Sequence, residues 1–156
     1  MSIIATPEQR LQAAGWPLPP LPRSAGDYVL TRIAAGCART SGQLPRVAGE
    51  LAYRGRVGSE VSEQEARSAA EMATLNALSA IADACGGLGA VSGVLQLRGY
   101  VRAAEDYEDH AWVMDAASAV LRTAFPDTGH VRTAVGVSSL PGGAPVEVEL
   151  LVELSD

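Results

Sequence analysis

The chain is expected to fold as an α+β domain: a mixed six-stranded sheet with two long helices packed on one face. Three observations lead there. Two stretches near the C-terminus, on either side of Leu140-Pro141-Gly142-Gly143, alternate apolar and polar residues with period two, as strands with unlike faces do. Ser62-Glu63-Gln64-Glu65 is a capping box, and it opens a long run of alanines at helical spacing. The order of segments is strands, helix, strand, helix, then two strands. Two helices can cover only one face of such a sheet, so the second face stays bare unless another subunit meets it.

Taken in order, Thr6-Pro7-Glu8-Gln9 opens a short helix, with Thr6 as N-cap, Pro7 in the first position and Gln9 as capping-box partner. It runs to Ala14 and stops at Gly15. Trp16-Pro17-Leu18-Pro19-Pro20-Leu21-Pro22-Arg23 is forced into extended backbone by its prolines. The string also looks like an SH3-domain ligand, but an arm laid across the domain or a neighbouring subunit is the preferred reading. Residues 1–25 are therefore set apart as helix and arm, and 26–156 as a single domain. Tyr28 to Ala34 and Cys37 to Ser41 read as two strands turning at Gly36, and Leu51 to Val57 as a short third strand at an edge. The long helix has Val61 placed for a hydrophobic staple and Ala66, Ala70, Ala73, Ala77, Ile81 and Ala84 on one stripe; it ends at Gly86-Gly87. Gly86-Gly87-Leu88-Gly89 lacks the lysine and following helix of a phosphate loop, so it is a connection. In Val91 to Val101, Val91, Gly93, Leu95, Leu97, Gly99 and Val101 share one side. A second helix covers Tyr107 to Thr123, with Trp112, Ala116, Ala119 and Thr123 on one face. In the last pair, Val131, Thr133, Val135 and Val137 oppose Arg132, Ala134, Gly136 and Ser138, while Val146, Val148, Leu150 and Val152 oppose Glu147, Glu149, Leu151 and Glu153. Arg132 and Glu147 are both expected to point away from the more apolar side.

With 156 residues the chain is long enough for one core. Hydrophobic residues make up 47%, mostly Ala, Val and Leu with a single Phe, a surplus that suggests a buried oligomer interface. Net charge is -6, and the twelve basic residues are all arginines scattered without a run. That argues against nucleic acid, whose phosphates need a positive stripe. Cys37 and Cys85 stand far apart with no Cys/His cluster, so no metal is expected and two buried thiols in a reducing cytoplasm are. The N-terminal residues lack the apolar stretch of a signal peptide and no segment has transmembrane length, so a soluble cytoplasmic protein is expected, with no membrane partner.

Arg132-Thr133-Ala134-Val135-Gly136-Val137-Ser138-Ser139-Leu140-Pro141, then Glu147-Val148-Glu149, resembles the C-terminal signature of the Rid family, the reactive-intermediate deaminases also called YjgF-like and historically perchloric-acid-soluble ribonucleases. Thr40-Ser41-Gly42-Gln43-Leu44-Pro45 resembles a second element of that family, and Gly26-Asp27-Tyr28 its Gly-Pro-Tyr. Gln64 and Asn76 match positions along the long helix; for Asn76 a structural hydrogen bond to a loop is the preferred role. The likeness covers residues 26–154. It departs from the family at Ala134, where a cysteine is common, at Asp115, where an asparagine is expected, in the added arm, and between Pro45 and Ser62. It therefore resembles a divergent branch. The resemblance implies the fold of the Bacillus-type chorismate mutase, a homotrimer with ligand pockets in the clefts between subunits, and a reaction without cofactor.

No hydrolytic triad is suggested, because His110 and His130 have no Gly-x-Ser-x-Gly or cysteine partner arranged near them. His130 reads as a surface or loop residue, although its spacing would let it share a pocket with Arg132. Arg132 is the residue most suited to bind a ligand: its guanidinium fork can grip a carboxylate with two parallel hydrogen bonds, and the competing reading is an ion pair with Glu147 or Glu149. Glu147 matches the family glutamate taken to position or activate the attacking water; the competing reading is a paired or solvated strand carboxylate. Tyr28, Ser41, Gly42 and Ala134 match pocket-lining positions, with aromatic packing at a subunit boundary as the alternative for Tyr28. The implied activity is hydrolysis of 2-aminoacrylate-type enamines or imines to 2-keto acids and ammonia. A non-catalytic binder of small acidic metabolites is the first alternative. A tailoring enzyme for a larger imine is the second, for which Ala134 and Gly136 would leave room. A ribonuclease ranks last because of the charge.

Overall fold

The computed structural model describes residues 4–156. Helix α1 (Pro7–Ala13) forms because both halves of its capping box close: Gln9 N–H donates to Thr6 Oγ1 at 3.2 Å and Thr6 N–H donates to Gln9 Oε1 at 2.9 Å. Its Leu11 is fully buried in the same core as the rest of the chain. Helices α2 (Glu63–Cys85) and α3 (His110–Ala124) are the long ones. The arm lies against its own α2, where Ser79 Oγ donates to the Pro19 carbonyl at 2.8 Å.

The strands are β1 (Thr31–Ala34), β2 (Cys37–Thr40), β3 (Arg46–Val47), β4 (Glu50–Leu51), β5 (Val91–Arg102), β6 (Val131–Val137) and β7 (Val146–Leu154). Five of them make one sheet in the order β1-β2-β7-β5-β6, mixed because only β5 and β6 run parallel. The expected six-stranded sheet is thus corrected to five. The sixth candidate, 51–57, contributes only the end of the separate β3–β4 hairpin, whose turn uses positive φ at Ala48 and Gly49. Gly55 and Gly58, both at positive φ, keep the following residues out of extended pairing, and Val57 makes only isolated bridges.

Ser62 and Glu65 cap α2 reciprocally, and Gly86 ends it in the left-handed conformation. Ala66, Ala69, Ala70, Ala73 and Ala77 are fully buried, so the helix lies close on the sheet; Ala84 of the expected stripe is exposed. Val146, Val148, Leu150 and Val152 of β7 complete this dry layer with Leu97 and Val101 of β5.

Three predicted faces change. A β-bulge between Val94 and Gln96 resets the alternation of β5, turning Val94 inward and leaving Leu95 40% exposed. On α3 the buried stripe is Val113, Met114, Ala116, Ala117, Val120, Leu121 and Ala124, which keeps Ala116 of the expected face, whereas Trp112 lies outside it beneath the Arg67 guanidinium, 3.9 Å from the ring centroid. On β6 the valine row is the outward one: Arg132 aligns with Leu97 and Ala134 with Gly99, on the helix side, while Val131 and Val135 stand exposed on the other.

Candidate active site

Arg132 sits on the edge strand β6 and turns toward α3. Its Nη1 donates to Asp115 Oδ1 at 2.7 Å and to Ser118 Oγ at 3.1 Å. Asp115 and Ser118 are three residues apart on α3, hence on one face of the helix, and they fix the guanidinium from one side. Among the described residues Nε and Nη2 of Arg132 donate to no protein acceptor. The side chain is 24% exposed, so this free edge can still be reached.

Ser118 Oγ is also 2.9 Å from His130 Nε2. Arg132 can only donate, so Ser118 accepts from it, and its hydroxyl hydrogen is left to donate to Nε2 when the neutral imidazole carries its proton on Nδ1. Burial lowers the His130 pKa, and the Arg132 and Arg122 cations lower it further, which favours the neutral ring. Ser118, Arg122, His130 and Arg132 line an open cleft of about 500 Å3 flanked by the Asp127–Gly129 loop.

A second cluster forms around Glu147 on β7. Backbone bonds between Gln43 and Val148, at 2.7 and 2.9 Å, clamp the chain after β2 across β7. They bring Gly42 so close to Glu147 that a methyl group there would overlap the carboxylate, which explains the glycine. Burial raises the Glu147 pKa, and the neighbouring Glu149 carboxylate adds to the rise. Ser41 Oγ donates to the Val29 carbonyl at 2.5 Å, and Tyr28 accepts the Ala25 N–H on its hydroxyl at 3.3 Å with its ring half-exposed.

Gly42 is therefore brought to Glu147, while Ser41 is held to Val29, next to Tyr28. Arg132 and Glu147 are not brought together within one protomer. Glu147 aligns with Tyr100 and Val135 on the open face, Arg132 with Leu97 and Leu150 on the helix face, and β5 runs between their strands. The expectation that both point away from the apolar side fails for Arg132, because its valine neighbours are the exposed row. Nor is its ion pair with Glu147 or Glu149: it is with Asp115, and Glu149 instead takes Arg98 at 3.4 Å and the Tyr100 hydroxyl at 2.8 Å.

The sequence reading found no partner for the histidines, and the fold supplies Ser118. The signal was slight, a pair of polar residues at helical spacing in an alanine-rich helix. Asn76 holds the structural role preferred for it, donating to the Leu44 and Arg46 carbonyls at 3.0 and 3.1 Å. Among the described residues no cluster of His, Cys, Asp and Glu could hold a metal ion, and no helix is long and apolar enough to cross a membrane.

The family model "YjgF/chorismate_mutase-like, putative endoribonuclease" matches residues 8–154. Its reach takes in most of the helix and arm, which the motifs alone had left outside. Protein TCP17 of Trypanosoma cruzi is 32% identical over 160 residues, covering the whole of both chains. Of solved structures, Atu1372 from Agrobacterium tumefaciens is 34% identical with a TM-score of 0.89, covering 96% of this chain and 92% of its own. A putative endoribonuclease from Shewanella oneidensis is 32% identical with a TM-score of 0.92, covering 96% of this chain and 100% of its own. Escherichia coli TdcF with bound serine, at 21% identity and a TM-score of 0.65, covers 99% of this chain and 100% of its own and shares the fold. Motifs, fold and relatives agree that the chain belongs to the YjgF/chorismate-mutase-like family, which includes the Rid and L-PSP proteins.

Proposed function

We propose that the protein is a cytoplasmic enamine/imine deaminase that hydrolyses 2-aminoacrylate-type intermediates to 2-keto acids and ammonia. The observation that carries this reading is the state of Arg132. Asp115 and Ser118 hold it through Nη1 alone, and the Nε/Nη2 edge stays open toward solvent. That edge is a two-pronged donor matched to a carboxylate. A substrate carboxylate anchored there places the adjacent imine carbon in the cleft. Glu147, with its raised pKa, is suited to take a proton from the attacking water and return it to nitrogen.

Because the two residues lie on opposite faces of one sheet, Glu147 would come from another copy. Leu95, Val131 and Val135, exposed on the uncovered side, support such an assembly, and the family resemblance implies three copies. The separation of Arg132 from Glu147 also favours a second reading, a non-catalytic binder of small acidic metabolites. The name endoribonuclease attached to the family is not adopted: a net charge of -6 with scattered arginines offers no stripe for phosphates.

The test is ammonia release from 2-aminoacrylate generated by a pyridoxal-phosphate dehydratase. The wild type should accelerate it. Arg132→Ala should lower kcat/KM by roughly tenfold to hundredfold, the loss of one or two charged hydrogen bonds. No acceleration by an assembled wild type would exclude the small enamine and leave the binder or a larger imine.

A further inference from the structure

The deaminase reading leaves the Ser118–His130 pair without a task, although it shares the cleft with Arg132. The pair is positioned from two elements. His130 immediately precedes β6, two residues before Arg132, and Ser118 reaches both from α3 at 2.9 and 3.1 Å. Its ring is half-buried, held through Nε2, and lines the same 500 Å3 cleft as the arginine. Glu147 is on the far side of the same sheet and reaches this cleft only as a neighbouring copy's residue. His130 is thus the imidazole that each protomer itself places beside Arg132, whose other titratable neighbour, Asp115, is already engaged in an ion pair with the guanidinium.

We infer that His130 is the proton acceptor of the Arg132 cleft, taking the hydroxyl proton of the tetrahedral carbinolamine as ammonia departs. The inference rests on the deaminase reading. The enamine first takes a proton from solvent at its methylene carbon to give the iminium. Water adds to the iminium carbon, one of its protons passing through Glu147 to nitrogen, which leaves a carbinolamine bearing a hydroxyl and an ammonium group. In the collapse the C–N bond breaks and its electron pair leaves with ammonia. The O–H electrons become the second bond of the ketone, and the proton passes to His130 Nε2 through the Ser118 hydroxyl, which hands its own proton to Nε2 as it takes up that of the carbinolamine. Imidazolium then returns the proton to solvent. Atoms balance as enamine plus water to keto acid plus ammonia, and no redox partner is needed.

The charged groups facing His130 favour this role. Arg122 from α3 and Arg132 from β6 disfavour a protonated ring, Asp115 from α3 is paired to Arg132, Ser118 is placed to donate to Nε2, and Asp127 on the cleft wall is the carboxylate on its own loop. A neutral imidazole is therefore ready to accept a proton near neutral pH. Substrate carboxylate bound to Arg132 offsets one of the two cations and strengthens the base when the ligand is present.

The experiment compares the wild type, His130→Gln and Arg132→Ala in 2-aminoacrylate hydrolysis between about pH 5 and 8. Gln keeps an acceptor for Ser118, so the local bonding survives. The wild type should lose kcat on the acid side as His130 gains a proton. His130→Gln should lower kcat about tenfold or more, leave KM within about threefold and abolish that acid limb. Arg132→Ala should act chiefly on KM and keep the limb. A His130→Gln enzyme with wild-type kcat and an intact limb overturns the inference while the deaminase reading stands. No turnover by the wild type at any pH overturns both. A second measurement needs no turnover: pyruvate is titrated into the wild type while the imidazole signals are followed by NMR, with His130→Gln assigning the two histidines. An upward shift of the His130 pKa supports the shared cleft, and an unmoved His130 overturns it.

Discussion

The two faces of the five-stranded sheet are built from the same strands and end in different states. On the helix side Leu97, Leu150, Val146, Val148 and Val152 lie under the buried alanines of α2 and are almost wholly excluded from water. On the other side the same strands present Glu147, Glu149, Arg98, Tyr100, Val131 and Val135, with ion pairs and exposed valines side by side. One chain finishes the first face and leaves the second open. The closed face is the buried core, and the open face keeps ionised groups and valines in reach of solvent.

The largest effect should come from the closed face. Leu97→Ala removes a fully buried side chain, and a loss of about 2–5 kcal/mol is expected by chemical denaturation. A loss under about 1 kcal/mol would mean that this layer is not close-packed and would erase the contrast. Next comes Val135→Asp on the open face, where the side chain is 40% exposed. The fold should survive, with a stability change of about 0.5 kcal/mol, while the proposed assembly should be absent in sedimentation experiments that show it for the wild type. Loss of the fold together with the assembly would show that the open face also belongs to the protomer's core. The smallest effect should have the opposite sign. Glu147 has a raised pKa in the folded protein, so its charge opposes folding above the folded value, and this penalty disappears below the ordinary value of 4.5. Glu147→Gln should therefore raise Tm at neutral pH by roughly 1–2 °C, a modest figure because the group is partly solvated, and lose that gain in acid. A lower Tm would show that the carboxylate is needed for stability in its own protomer.

Local chemistry was readable from the sequence, and the sidedness of strands was not. Thr6, Ser62 and Gly86 end their helices as expected, since a cap depends only on residues within a turn of it. Arg132 was found as a candidate, but its side of the sheet was misjudged. A row of valines on an edge strand looks like a core row until it is known that no helix covers it. The bulge at Val94 has no sequence mark, and neither does the meeting of Ser118 with His130, which depends on how α3 crosses the end of β6. Asp115 had been noted only as a departure from the family pattern, and its partner emerged from the packing.

Strand β7 is the last element of the chain and lies in the middle of the sheet, between β2 and β5. During synthesis, β5 and β6 can pair as soon as they emerge, but β1–β2 has no neighbour until Val146 and the residues after it leave the ribosome. Until then α2 and α3 have only part of the surface they cover. The nascent protein must keep its apolar alanine and valine layers from other chains until β7 has emerged. A chain stopped before Val146 has lost the strand that joins its two halves, so late truncations should be cleared by proteolysis and should not accumulate as folded fragments.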